Sequence, residues 1–143
     1  MTFLLDVNLL FVLHQPAHGD YKLVSSWVAG NKKLSFATCP ITQAGLLRLL
    51  TQPIQGLDVF RVDEAREALQ NLVSRPGHAY WPDVPSYLDA TTTLFKRMQG
   101  HRQITDAYLL GLARHHGGKL ATLDKAIPSL AGPELIHLVE LIA

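Results

Sequence analysis

Residues 2–8 read Thr-Phe-Leu-Leu-Asp-Val-Asn, and the way the apolar run stops at Asp6 decides the reading of the whole chain. Phe3 to Leu5 have no polar face, which suits a short central strand buried on both sides rather than a half-exposed one. A carboxylate at the end of such a strand lies where the crevice of an open α/β sheet forms. Val7 to Leu13 then has the composition of a helical turn, broken by Pro16 and Gly19.

Working outward, strand-like and helix-like segments alternate. Tyr21 to Ala29 carries apolar residues at helical spacing, with Gly30-Asn31 as its stop. Leu34 to Thr38 is a second strand, and Pro40 opens a helix from Ile41 to Leu50. Asp63 to Val73 is an amphipathic helix, with Ala65, Leu69, Leu72 and Val73 on one face. Ala79 to Trp81 reads as a short strand and Tyr87 to Met98 as a helix closed by Gly100. Thr105 reads as the N-cap of a helix ending near His116, with Gly117-Gly118 as its stop. Lys119 to Leu123 and Leu135 to Leu138 are the last two strand expectations. Alternation of this kind predicts an α/β domain with a central, mainly parallel sheet flanked by helices.

The 143 residues fit one domain, and no internal repeat or linker divides them. A hydrophobic fraction of 48% against 17% charged supplies a compact core. The net charge of +1 excludes a globally basic nucleic-acid binder, so any surface for a polyanion must be a local patch. Cys39, the single cysteine, excludes an internal disulfide and suits a buried thiol in a reducing compartment. Met1 and Thr2 lead directly into the apolar run without a basic segment, so no secretory signal is expected. No apolar run reaches the ~18 residues of a membrane span. A soluble cytoplasmic protein is the expectation.

Three aspartates carry the chemistry. Asp6 and Asp124 follow expected strands, and Asp106 lies in the first turn of an expected helix. Each has a plain structural role open to it. Asp6 suits a turn cap, Asp106 complements a helix dipole, and Asp124 can cap a short helix starting at Lys125. Jointly they predict more, because all three fall at one edge of the same sheet. Carboxylates gathered there repel one another unless a cation intervenes. An all-oxygen donor set favours Mg²⁺ or Mn²⁺ over zinc.

The order LLDVNLL, TCPITQAGLLRLL, ITDAYLLGLARHHGG and KLATLD resembles the PIN (PilT N-terminus-like) domain, and within it the VapC-type ribonuclease toxins of bacterial toxin–antitoxin pairs. The similarity spans nearly the whole chain. It implies an endoribonuclease in which a cation-activated water attacks a phosphodiester. It implies Asp6, Asp106 and Asp124 as catalytic residues and as ligands of Mg²⁺ or Mn²⁺. Asn8, two residues after the first aspartate, would contact a water on the cation. Thr105, apart from the resemblance, has a hydrogen bond to a cation ligand open to it, with capping as the more economical role. The family's glutamate falls at position 43, where this chain has Gln43. An amide carries no charge and is no base, so one cation site is expected to persist and turnover to be reduced. RNA, a cognate antitoxin and a homodimer are the implied partners. Leu46, Leu47, Leu49 and Leu50 offer apolar surface for that dimer, or else mark a fully buried helix.

The remaining candidates are weaker. Arg48, Arg97 and Arg102, the last two within a basic run from Lys96, are candidate RNA-backbone contacts or solvated surface residues. His14 and His18 have zinc-like spacing, but Pro16 between them disfavours the helix that would align them. Trp27 and Trp81 suit a core or interface. Two other classes stay open. One is a catalytically impaired PIN-like module that binds RNA or antitoxin. The other is a haloacid-dehalogenase-type phosphohydrolase, which would want an acid where Asn8 stands.

Overall fold

The computed structural model describes residues 1–143. Its centre is a five-stranded sheet, β1 (Thr2–Leu5), β2 (Ser35–Thr38), β3 (His78–Tyr80), β4 (Lys119–Thr122) and β5 (Val139–Leu141), in the order β3-β2-β1-β4-β5. Every pairing is parallel, so the sheet is wholly rather than mainly parallel. The helices are α1 (Val7–Leu13), α2 (Tyr21–Gly30), α3 (Pro40–Leu50), α4 (Val62–Val73), α5 (Tyr87–Ala90), α6 (Ile104–His115) and α7 (Ile127–Leu135).

Side chains alternate across the pleat, and each face of β1 meets its own core. Leu4 joins Ala37 and Leu120 beneath α6 and α7. Leu5 joins Phe36 and Ala121 beneath α1 and α3. Both leucines are fully buried, and each burial is worth about 2 kcal/mol. This double burial explains why the run has no polar face.

The chain leaves β1 towards β2 on one side and returns to β4 on the other. The crevice of such a sheet opens at this reversal, beyond the carboxyl ends of the strands. Asp6 directly follows β1, and Asp124 lies two residues past β4.

Several expected boundaries differ from the observed ones. The segment Tyr87 to Met98 is not one helix. It is α5, then a turn, then a 3-10 turn at Phe95–Arg97. Three successive threonines are the cause. Thr91 and Thr92 turn their hydroxyls back onto the carbonyls of Tyr87 and Leu88, both at 2.8 Å, which competes with helix propagation.

Leu135 to Leu138 is not a strand either. Gly132, at φ 68°, breaks α7, and Pro133 restarts it, so helical geometry persists through a 3-10 turn to Leu138. The strand begins one residue later, at Val139. The third strand also begins earlier than expected, at His78.

Thr105 is not an N-cap, because α6 already starts at Ile104 with Gln103 at the cap position. The leucines of α3 form core rather than surface. Leu46 and Leu50 are fully buried, and Leu47 and Leu49 pack against the same cluster. Cys39 is a buried free thiol, as expected. No helix is long and apolar enough to cross a membrane.

Candidate active site

Asp6 is built into the backbone on both sides. Its amide continues the β1–β4 ladder by donating to the Ala121 carbonyl at 3.0 Å. Its Oδ1 accepts from the Val7 amide at 2.8 Å and caps α1. Its Oδ2 accepts from the Thr122 hydroxyl at 2.7 Å. The cap role and the site role therefore coexist in one side chain. Asp6 is buried, and that burial raises its pKa above the usual carboxylate value. The hydrogen bonds from Thr122 and Val7 oppose the rise, and the charge of Asp124 adds to it.

Thr122 itself is fully buried. Besides donating to Asp6 it accepts the Asp124 amide at 3.0 Å. One hydroxyl thus ties the end of β1 to the turn after β4. The sequence reading missed this residue, although the threonine of LATLD sits two positions before the aspartate. Asp124 has its own local bond, Oδ1 accepting from the Ala126 amide at 2.8 Å. It therefore caps the turn leading into α7, which itself begins at Ile127.

Asp106 is held differently. It lies in the first turn of α6, half-buried, and its carboxylate accepts no hydrogen bond and joins no ion pair within the protein. Its pKa is raised to about 6, first by burial and then by the charges of Asp6 and Asp124. The three aspartates are therefore close enough to feel one another. The ion pairs of the molecule are Arg61 with Asp63 and Glu64, and Arg97 with Glu134, so none neutralises this group.

The donor chemistry fits a hard divalent cation: carboxylate oxygens with lone pairs to spare and mutual repulsion without a counter-charge. The side chains are not drawn up as a ready ligand sphere: no group of three or more histidine, cysteine or acidic residues, the three aspartates included, is arranged to hold a metal ion.

Gln43 stands apart from the three. Its Nε2 donates to the Thr38 hydroxyl at 3.0 Å, and Thr38 lies 2.7 Å from Nε2 of His78. Burial lowers the pKa of His78, which favours a neutral ring. With Nε2 unprotonated, the Thr38 hydroxyl donates to the ring while its oxygen accepts from Gln43. This chain links the carboxyl end of β2, at Thr38, to the first residue of β3, His78. Thr38 is its buried centre, another residue the sequence reading passed over.

The other candidates separate clearly. Asn8 is exposed beside Asp124 along one groove. Thr105 is exposed and its hydroxyl bonds nothing. Arg48 is exposed on α3 and makes no ion pair. Arg97 is not a free cation: it pairs with Glu134 and packs over Gly132. Arg102 is exposed and lines a cleft with Asp106 and Asp124. His14 bonds the Leu10 carbonyl, and Trp27 and Trp81 pack in or against the core.

A family model described as "PIN domain" matches residues 3–133. This chain belongs to the PIN-domain family. Among its relatives, the ribonuclease VapC29 of Mycobacterium tuberculosis is 37% identical over 132 residues, covering 92% of each chain. The ribonuclease VapC38 of the same organism is 38% identical over 128 residues, covering 90% of this chain and 89% of its own. The PIN domain here is thus of the VapC type, and a haloacid-dehalogenase-type phosphohydrolase is set aside.

Solved structures share the fold. VapBC2 from Rickettsia felis, in a crystal with a DNA fragment from its promoter, covers the whole of both chains at TM-score 0.66 and 15% identity. FitAcB from Neisseria gonorrhoeae covers 91% of this PIN domain and 93% of its own chain, at TM-score 0.61 and 17% identity.

Proposed function

We propose that this PIN domain is a ribonuclease toxin that hydrolyses RNA phosphodiesters at the Asp6–Asp106–Asp124 cluster. The observation that carries the reading is a buried and a half-buried carboxylate with raised pKa values, gathered with a third at the reversal of a parallel sheet without a cationic partner. The names of the VapC relatives support the substrate class.

Asp6, Asp106 and Asp124 would hold Mg²⁺ or Mn²⁺, which when bound stabilises charge growing on the phosphoryl oxygens and makes a water more acidic. Thr122 fixes the orientation of Asp6, so its free lone pairs keep one direction. Asp106, whose carboxylate has no hydrogen bond within the protein, is the one that would take the proton of the attacking water. Water then adds to phosphorus, the bond to the leaving ribose oxygen breaks, and that oxygen takes a proton from solvent. Asn8 would orient a water and Arg102 would meet the RNA backbone; both are exposed and each lines a cleft with Asp124.

Gln43 weakens this activity. Its neutral amide is engaged by Thr38, and it brings no negative charge to the crevice. The same feature favours a second reading, a PIN module that binds RNA or antitoxin without cutting. Manganese-dependent cleavage of single-stranded RNA by this chain, Asp6→Asn and Gln43→Glu separates the two. The first reading expects slow cleavage, abolished by Asp6→Asn and raised by Gln43→Glu. Cation binding with no cleavage in either the chain or Gln43→Glu supports the second.

The likeness to VapBC2 and FitAcB supports a cognate antitoxin as partner. A homodimer would use a surface other than α3. Leu88, Phe95 and Ile104 are exposed and available for it. The single buried thiol is compatible with a reducing cytoplasm.

A further inference from the structure

Two separate cavities meet at Asp124. The first, of about 380 Å³, lies between Asp106 and the 99–103 turn, and Ala126 is its one hydrophobic lining residue. Arg102 supplies its positive charge, and both Arg102 and its neighbour His101 are exposed. The second, of about 660 Å³, runs from Asp124 and Lys125 along the Asn8 side of α1 to Phe11, His18 and Leu57. Its walls are mixed, with apolar side chains between polar ones, and Asp20 marks its far end.

Cations therefore stand on both sides of a carboxylate centre: Arg102 beyond Asp106, and Lys125 next to Asp124. Neither is tied up in an ion pair. Each cavity falls in the size range of a single small-molecule site, which a nucleotide fills.

From this arrangement we infer that a single RNA strand crosses Asp124, with one nucleotide in each cavity and its flanking phosphates on Arg102 and Lys125. The inference rests on the proposed ribonuclease reading and adds the path of the substrate to it. The charge order along the path is positive, negative, positive. A polyanion binds such a track at its two ends and is repelled at its centre unless a divalent cation supplies counter-charge there. Apolar side chains for a base to lie against occur only in the second cavity, at Ile54 and Leu57, where contact is tolerant of sequence, while the first cavity meets its nucleotide through polar groups. Duplex RNA cannot follow the same path, because its bases are paired inward and its two backbones form one rigid convex surface. Lys125 and Arg102 are thus substrate-positioning residues at opposite ends of one strand.

Fluorescence anisotropy of labelled RNA in calcium tests the path without cleavage as its readout. The proteins are the unaltered chain, Arg102→Ala, Lys125→Ala, and Arg66→Ala on the exposed side of α4 as a control. Both cleft variants should bind a single-stranded octamer about fivefold more weakly, and each should lower the log–log salt slope by about 0.7. Arg66→Ala should stay within about twofold. Unchanged binding by both cleft variants overturns the path, as does an equal loss on duplex RNA. Absence of all RNA binding overturns it too and leaves the groove to a protein partner. Manganese-dependent cleavage is scored separately. Cleavage with unaltered binding by the cleft variants removes the path alone. The expected binding losses without cleavage leave the path and remove the catalytic reading.

Discussion

The hydroxyl of Thr122 donates to Oδ2 of Asp6 at 2.7 Å, although 116 residues separate the two. The bond is buried and joins the ends of two neighbouring strands of the sheet. It orients one carboxylate of the cluster, and through the Asp124 amide it also fixes where a second one begins.

Thr122→Val keeps the shape and removes both bonds. It leaves Oδ2 of the buried Asp6 and the Asp124 amide without their partner, while Oδ1 keeps the Val7 amide. The cost in stability should be about 1–3 kcal/mol, read by urea denaturation. RNA cleavage should fall at least about tenfold, since a loosened Asp6 no longer presents one geometry. Thr122→Ser should restore most of both, because it keeps the donor.

The raised carboxylates set the pH dependence. Asp106 has a folded pKa of about 6 against 3.8 for the free group. Between these values the folded state binds more protons than the unfolded one, so stability falls as pH rises through this window. Asp6 acts in the same direction. Without divalent ions the chain should therefore be less stable at pH 7.5 than at pH 5. Asp106→Asn should flatten the profile and stabilise the chain at pH 7.5 by about 1 kcal/mol, a figure reduced for its partial exposure. Thermal melts across this range read the effect.

Gln15 is a structural pin that sequence alone did not reveal. It is fully buried, and its amide exchanges two 2.9 Å hydrogen bonds with the backbone of Asp58. Gln15→Ala should cost about 1–2 kcal/mol and speed amide exchange around Asp58 more than in the strands.

Gly111 marks the close approach of α5 and α6. A Cβ there would run into the Ala90 carbonyl oxygen and the Ala90 side chain. Gly111→Ala gains helix propensity in isolation but should destabilise the folded chain by about 2 kcal/mol or more, because backbone must shift. Denaturant midpoints of the two proteins give the sign.

The sheet and the three aspartates were legible because each rests on a local pattern. An apolar run ending in a carboxylate needs no partner to be recognised, as Phe3 to Asp6 and Leu120 to Asp124 illustrate. Positions set by competition were not legible. Thr91 and Thr92 ended a helix by bonding their own backbone, and Gly132-Pro133 extended helical geometry into an expected strand. Partners distant in sequence were hidden as well. Nothing in LATLD says that its threonine meets Asp6, and nothing in TCPITQ says that Gln43 turns to Thr38. Arg97, a candidate phosphate contact within a basic run, is instead paired with Glu134, 37 residues further along the chain.

Calorimetric titration of Mn²⁺ into the chain and into Asp6→Asn, Asp106→Asn and Asp124→Asn tests the central claim most directly. If the three carboxylates form one cation site, each substitution should weaken binding at least about tenfold, since each removes a charged ligand. Undiminished manganese affinity in any one of the three variants would contradict the account.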